Sequence, residues 1–303
     1  MPRSERPRAA PPPRATPAVD TPEPGVWGDV VEMVGKRVRV RLDPDSQGGE
    51  GGEHILPVRA KVAISDRVRV HEGAVVAFAP RTAELMRSGE HKTQVVCANA
   101  SLLVMVVAAR EPPFRAGLID RVLVAAGAAG MKAAIVLNKC DQGMPSEVLE
   151  KLARYEALGY PIFLVSAHQQ KGLEPLIELL AQHTSVFVGH SGVGKTSLLQ
   201  VIVPGVVRDI GVLDQWGRGR HTTIAAVRFD LPGGGRVIDV PGVREFGLEH
   251  IDREDLHLYF PELAELRCQY RDCMHMGEDG CGAEEVCEED RLESYQKLVE
   301  ELI

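Results

Sequence analysis

The chain has 303 residues, 44% of them apolar and 26% charged, an ordinary globular composition with room for two or three domains. No apolar run is long and charge-free enough to span a bilayer, and the Pro- and Arg-rich amino terminus lacks the apolar stretch of a secretory signal, so the expected compartment is the cytoplasm. The net charge of −8 is unevenly placed: residues 252–303 hold 16 acidic and 5 basic side chains, a net of −11, which leaves residues 1–251 at +3, so a polyanion would meet the front of the chain and not its carboxyl end.

Residues 1–26 contain eight prolines and four arginines and almost nothing that could form a core. That composition predicts a disordered tail, either inert or a basic arm that orders on RNA. Residues 27–95 alternate in short runs at 30–33, 37–42, 55–62, 67–70 and 74–78, which predicts a small β-barrel of the OB-fold type. A period of two places Arg37, Arg39 and Arg41 on one face of a strand and Val38 and Val40 on the other. That basic face is either a solvated surface or a strip for RNA phosphates.

From residue 96 to 250 apolar strands alternate with helical patterns. Strands are expected at 102–107, 133–137, 162–165 and 185–188, and helices at 116–129, 145–155, 172–182 and 197–203. This pattern predicts a parallel sheet with helices on both faces, with ligands held beyond the carboxyl ends of the strands. Residues 189–196 fit G-x-x-x-x-G-K-[ST] between a strand and a helix, the setting of a phosphate-binding loop. Gly189, His190, Ser191, Gly192, Val193 and Gly194 would turn backbone N–H groups toward the phosphates. Lys195 would reach the β- and γ-phosphates, the Thr196 hydroxyl would ligate magnesium, and Ser197 opens the helix whose N-terminus favours an anion. The chain is expected to bind a nucleoside triphosphate.

The identity of the base is read from the preceding strand ends. Asn138-Lys139-Cys140-Asp141 comes after the strand at 133–137. The Asp141 carboxylate can accept both N1–H and N2–H₂ of guanine, a pair that adenine does not offer, while Asn138 supports the loop and the Lys139 stem covers the base plane. Ser166-Ala167 comes after the next strand, where a backbone N–H is expected to reach guanine O6. Beyond the phosphate loop, residues 209–221 lead to Thr222-Thr223, a segment expected to order around the γ-phosphate with Thr223 on magnesium. Strands at 224–230 and 236–240 end in Asp239-Val240-Pro241-Gly242, where Asp239 would hold magnesium through water and the Gly242 N–H would sense the γ-phosphate. The base-reading motifs precede the phosphate loop, so the sheet must be built from a permuted chain. Asp239 to Gly242 then ends the nucleotide domain and abuts the carboxyl-terminal region.

That region carries Cys268-x4-Cys273-x-His275-x5-Cys281. Three thiolates and one imidazole predict a closed, structural zinc site. Cys287 is a spare, Cys97 and Cys140 read as packed small residues, and 291–302 predicts an amphipathic helix whose apolar stripe faces the core.

Taken together, Asn138-Lys139-x-Asp141, Gly189-x-Ser191-Gly192-Val193-Gly194-Lys195-Thr196-Ser197-Leu198, Gly219-Arg220-His221-Thr222-Thr223, Asp239-x-Pro241-Gly242-Val243-Arg244-Glu245-Phe246-Gly247-Leu248, the Cys₃His spacing and Arg291-x-x-Ser294-Tyr295 resemble the RsgA (YjeQ) family of circularly permuted GTPases. The resemblance runs from about residue 99 to 302. It implies an OB-fold at 27–95, a permuted GTPase domain at 96–250 and a zinc domain at 251–303. It also implies a partner, the small ribosomal subunit with its rRNA, and a role in late maturation of that subunit. The chain departs from the family's pattern at Ser65-Asp66-Arg67-Val68, where the family has Val-Gly-Asp-x-Val, at Asn99-Ala100-Ser101, where it has Asn-x-Asp, and at the glycine-rich 48–52.

Val243 stands where many small GTPases keep a glutamine that orients the attacking water, and valine cannot hydrogen-bond. The hypothesis for that role is His221, and a His221→Ala protein with normal subunit-stimulated hydrolysis would sink it. Two other functions are expected alternatives: an RNA-binding chaperone gated by nucleotide with negligible turnover, and a permuted GTPase of the large subunit. Nothing in the motifs requires a dimer.

Overall fold

The computed structural model describes residues 24–44, 51–58, 61–87, 94–203, 226–240 and 246–302. Strands β1 (Val26–Val34), β2 (Arg37–Leu42), β3 (Glu53–Pro57), β4 (Arg67–His71) and β5 (Ala74–Phe78) pair antiparallel in the order β3-β2-β1-β4-β5. Alternation along β2 does what its pattern predicts, burying Val38 and Val40. Of the three arginines opposite, Arg37 is exposed, and the other two are paired with carboxylates. Arg39 Nε donates to Glu32 at 2.7 Å, and Arg41 donates to Glu53 at 3.0 and 2.8 Å and also to Asp230. β3 stops at Pro57, short of the expected residue 62, because Pro57 pairs with Arg37, the first residue of its partner β2. A separate hairpin, β6 (Glu84–Arg87) and β7 (Gln94–Ala98), was not expected from the sequence. Its strands are four and five residues long and a bulge between Leu85 and Met86 breaks their alternation.

The second part alternates β8 (Leu102–Ala108), α1 (Ala116–Ala128), β9 (Lys132–Asn138), α2 (Ser146–Ala157), β10 (Ile162–Leu164), α3 (Glu174–Ala181), β11 (Thr184–Val188) and α4 (Lys195–Ile202), then ends in the hairpin β12 (Val227–Asp230) and β13 (Arg236–Asp239). β10, β9, β8, β11 and β13 are parallel neighbours in that order, with β12 antiparallel outside β13. Both faces are covered, which is why β8 is apolar throughout. Leu103, Met105 and Val107 pack with α1, α2 and the carboxyl-terminal helices, whereas Leu102, Val104 and Val106 pack with α3 and α4. Counted from β11, the strand before the phosphate loop, the sheet reads 6-5-4-1-3-2. The chain therefore enters this sheet at its fourth strand, as the motif order predicts.

β12 also joins the sheet to the first part. Glu32 of β1 pairs with Val227, the Met33 N–H donates to the Ala226 carbonyl at 3.1 Å, and the buried Arg228 donates to Asp29 at 3.1 Å and to Ser65 Oγ at 3.4 Å. Ser65 adopts a left-handed φ of +67°, a conformation that glycine takes with less strain than serine.

After residue 246 the chain is mostly short turns: a 3₁₀ stretch Arg253–Tyr259, one-turn helices Pro261–Ala264 and Ala283–Val286, and then α5 (Glu289–Glu301). α5 buries Leu292, Tyr295, Leu298 and Val299 in the core shared with α1, the expected use of its stripe. Among the described residues no helix is long and apolar enough to cross a membrane.

Candidate functional site: a nucleotide-binding edge and a cysteine–histidine knuckle

Because the strands run parallel, Asn138 at the end of β9, Ser166 beyond β10, Gly189 after β11 and Asp239 at the end of β13 gather along one edge of the sheet. Two glycines of the phosphate loop admit no side chain. A Cβ on Gly189, at φ +146°, would lie 2.2 Å from the Val106 carbonyl oxygen, and one on Gly194, at φ +91°, would lie 2.4 Å from Asn138 Nδ2. Val193 between them is buried against Leu198 and Leu199 and anchors the loop, while His190, Ser191, Gly192, Thr196 and Ser197 lie along its solvent side. Lys195 folds back across the loop, its ammonium donating to the carbonyls of Gly189 at 2.6 Å and His190 at 3.0 Å. Burial pulls the Lys195 pKa down, and the nearby Asp239 carboxylate opposes that shift. Burial likewise pushes Asp239 up, with Lys195 opposing. Asp239 is in register with Phe187 of β11, which places it beside the root of the phosphate loop.

Asn138 connects the loops. Its buried carboxamide donates from Nδ2 to the Val193 carbonyl at 2.9 Å and accepts at Oδ1 from the Ala167 N–H at 3.0 Å. One side chain thus ties the Asn-Lys-x-Asp loop to the turn after β10 and to a phosphate loop 55 residues away. The N–H groups of Ser166 and Ala167, expected to face guanine O6, are taken within the protein, by the Lys171 carbonyl at 3.0 Å and by Asn138. The turn instead acts on Asp141: Ser166 Oγ donates to its carboxylate at 2.5 Å and holds that carboxyl below the usual aspartate range. Asp141 itself is exposed. Lys139, at φ +63°, stretches its ammonium to the Glu111 carbonyl at 2.8 Å. Gly219, Arg220, His221, Thr222, Thr223, Gly242 and Val243 lie outside the described residues.

The second constellation is Cys268, Cys273, His275 and Cys281, whose ligand atoms all lie within 4.8 Å of one another. His275 Nδ1 stands 3.5 Å from the sulfurs of Cys268 and Cys281 and 3.7 Å from that of Cys273, and Cys268 and Cys281 are 3.9 Å apart. A tetrahedron with metal–sulfur bonds of about 2.3 Å has edges of about 3.8 Å, so the donor set fits one metal ion with no open position. Cys287 stands apart, with its thiol 3.7 Å from Glu262 and pushed up to about 12 by burial and that carboxylate. Cys97 is buried and Cys140 half-buried, as expected of packed residues.

Two features are not legible in the sequence. Arg291, which belongs to a sequence motif that gives it no role, is buried between Glu262 and Asp120, with its guanidinium 4.7 Å from the centre of the Phe260 ring and 5.3 Å from that of Tyr155. It links α5 to α1 and α2. Glu278, which no motif marks, holds the backbone of the metal knuckle.

A parallel sheet entered at its fourth strand, with a phosphate loop and Asn-Lys-x-Asp on one edge, defines a circularly permuted P-loop GTPase. The family model described as RsgA GTPase matches residues 78–249. The chain is 44% identical over 232 residues to the small ribosomal subunit biogenesis GTPase RsgA of Ectopseudomonas mendocina, covering 74% of this chain and 67% of that one. It is 43% identical over 243 residues to the protein of the same name from Pseudomonas syringae, covering 76% and 70%. Among solved structures, YjeQ from Thermotoga maritima superposes with a TM-score of 0.71 at 28% identity, covering 91% of this chain and 98% of that one. YloQ, described as a circularly permuted GTPase, superposes with a TM-score of 0.68 at 22% identity, covering 95% and 98%, a likeness of fold alone. The chain belongs to the RsgA GTPase family, and its enzymatic class is that of a hydrolase acting on GTP.

Proposed function

We propose that this GTPase acts in the maturation of the small ribosomal subunit, and that contact with the subunit stimulates its hydrolysis of GTP. The observation that carries the nucleotide assignment is the Asn138 link between Ala167 and Val193, with Ser166, the neighbour of Ala167, holding Asp141 beside them. The subunit enters through the names of relatives 43–44% identical. In this reading Asp141 accepts from guanine, the Lys139 stem covers the base, and residues 189–197 cradle the phosphates under Lys195. Magnesium is held by Thr196, Thr223 and Asp239, the Gly242 N–H senses the γ-phosphate, and His221 positions the attacking water. When bound, magnesium neutralises charge developing on the phosphates.

The four-ligand knuckle is assigned to one structural zinc ion, since three thiolates and an imidazole at tetrahedral spacing are zinc's preferred donors. Residues 27–95 form an OB-fold that meets rRNA, 96–250 the GTPase domain and 251–303 the zinc domain, with 1–26 a basic tail. The pairings β3-β2-β1-β4-β5, with β3 approaching β5, support a barrel closed in the OB order. The protein works in the cytoplasm as a monomer. Hydrolysis of GTP and of ATP, measured alone, with small subunits and with large subunits, tests the proposal. Turnover of GTP raised by small subunits supports it, and stimulation by large subunits only, or a preference for ATP, overturns it.

A further inference from the structure

The knuckle at 268–281 is shaped by a carboxylate that is not one of its four ligands. Glu278 accepts the Met274 N–H at 2.9 Å through Oε1 and the Met276 N–H at 2.8 Å through Oε2, and Oε2 lies 3.5 Å from Cys273 Sγ. It therefore holds the residues on either side of His275, which sits at a left-handed φ of +58°. Few non-glycine residues adopt that conformation, and contacts that hold the flanking residues stabilise it. From the opposite side α5 holds the same turn by its carbonyls. Tyr295 Oη donates to the Met274 oxygen at 3.0 Å, and Gln296 Nε2 donates to the His275 oxygen at 3.2 Å.

We infer that Glu278 is a positioning residue for the metal site, on the reading of the cluster as a zinc centre. Its carboxylate clamps the turn so that His275 Nδ1 stands among the three sulfurs. A ligand set formed in advance binds tighter because less chain is ordered on binding, and partners behind the ligands typically contribute about 10–100-fold in metal affinity. Asp279, the next residue, carries the same charge and is exposed, which makes it the control for a simple electrostatic effect.

The test uses the full chain, stripped with a chelator and titrated with zinc against a chromophoric competitor. Glu278→Gln, which keeps the volume and one acceptor, and Glu278→Ala are each expected to bind zinc about 10–100-fold more weakly, and Asp279→Asn to stay within about twofold of the unsubstituted chain. At saturating cobalt, the tetrahedral absorption bands of the unsubstituted chain are expected to weaken and shift in both Glu278 variants. Unchanged zinc affinity in both variants overturns the positioning role alone, as does an equal loss in Asp279→Asn. An unsubstituted chain that takes up neither zinc nor cobalt overturns the zinc assignment, and the positioning role with it.

Discussion

The Asp141 carboxylate is tuned by its neighbour Ser166. The Ser166 hydroxyl donates to its carboxylate, so the ionised form is favoured in the folded protein and the pKa lies below the usual value of about 3.9. For a carboxyl depressed in this way, the stability it contributes is complete above the unfolded-state pKa and is lost as pH falls through the lower folded-state value. Asp141 is therefore expected to stay ionised across the neutral and mildly acidic range, as the proposed guanine contact requires. Ser166→Ala is expected to raise the Asp141 pKa toward the ordinary value, which carboxyl-carbon NMR titration would register. An unchanged titration would mean that the hydroxyl does not act on the carboxylate. Asn138 works by hydrogen bonds alone: removing its carboxamide would strand the buried Ala167 N–H and Val193 carbonyl, each at a cost of about 1–3 kcal/mol.

At the scale of elements, α5 is held to α1 and α2 by a buried ionic group. Arg291 meets Asp120 of α1 and Glu262, and Tyr155 of α2 donates to the same Asp120 at 2.6 Å. Two carboxylates share one guanidinium, so removing the cation leaves uncompensated charge in the core. Arg291→Met is expected to destabilise the protein by about 3–5 kcal/mol, read from urea unfolding followed by circular dichroism. Adding Asp120→Asn and Glu262→Gln should restore most of that loss. A single substitution without effect would show that the group is not what fastens α5.

These elements also show what the sequence can and cannot disclose. The phosphate loop, Asn138 with Asp141, and the cysteine–histidine set are legible because each needs particular residue types at short, fixed spacing. β8 and residues 133–137 of β9 are legible because a strand covered on both faces reads as a continuous apolar run. Arg291 and Asp120 are 171 positions apart, and nothing local marks either as a partner of the other. Arg39 and Arg41 look like a basic strip until Glu32, Glu53 and Asp230 arrive from other strands. The hairpin β6–β7 is too short and irregular to carry a period, and Glu278 resembles any surface glutamate until the turn closes around it.

Over the whole molecule, permutation changes the order of the parts and leaves their contacts in place. The Asn-Lys-x-Asp loop comes from β9 and the phosphate loop from the end of β11, yet they meet because the parallel strands end on one edge. The same order places β12 between the sheet and β1, and Asp239 shortly before the carboxyl-terminal region. The nucleotide site is thus joined by continuous backbone to the parts on either side of it.

That the two loops form one guanine site is most directly tested with Asp141→Asn. A carboxamide keeps an acceptor for N1–H but turns a donor toward the 2-amino group of guanine, a mismatch that becomes a match with the 2-oxo group of xanthine. Hydrogen bonds to a charged acceptor contribute about 1.5–3 kcal/mol, so GDP affinity in equilibrium titrations is expected to fall about 10- to 100-fold while xanthosine diphosphate affinity rises. Unchanged GDP binding in Asp141→Asn, with no gain for xanthosine diphosphate, would contradict the assignment of the site.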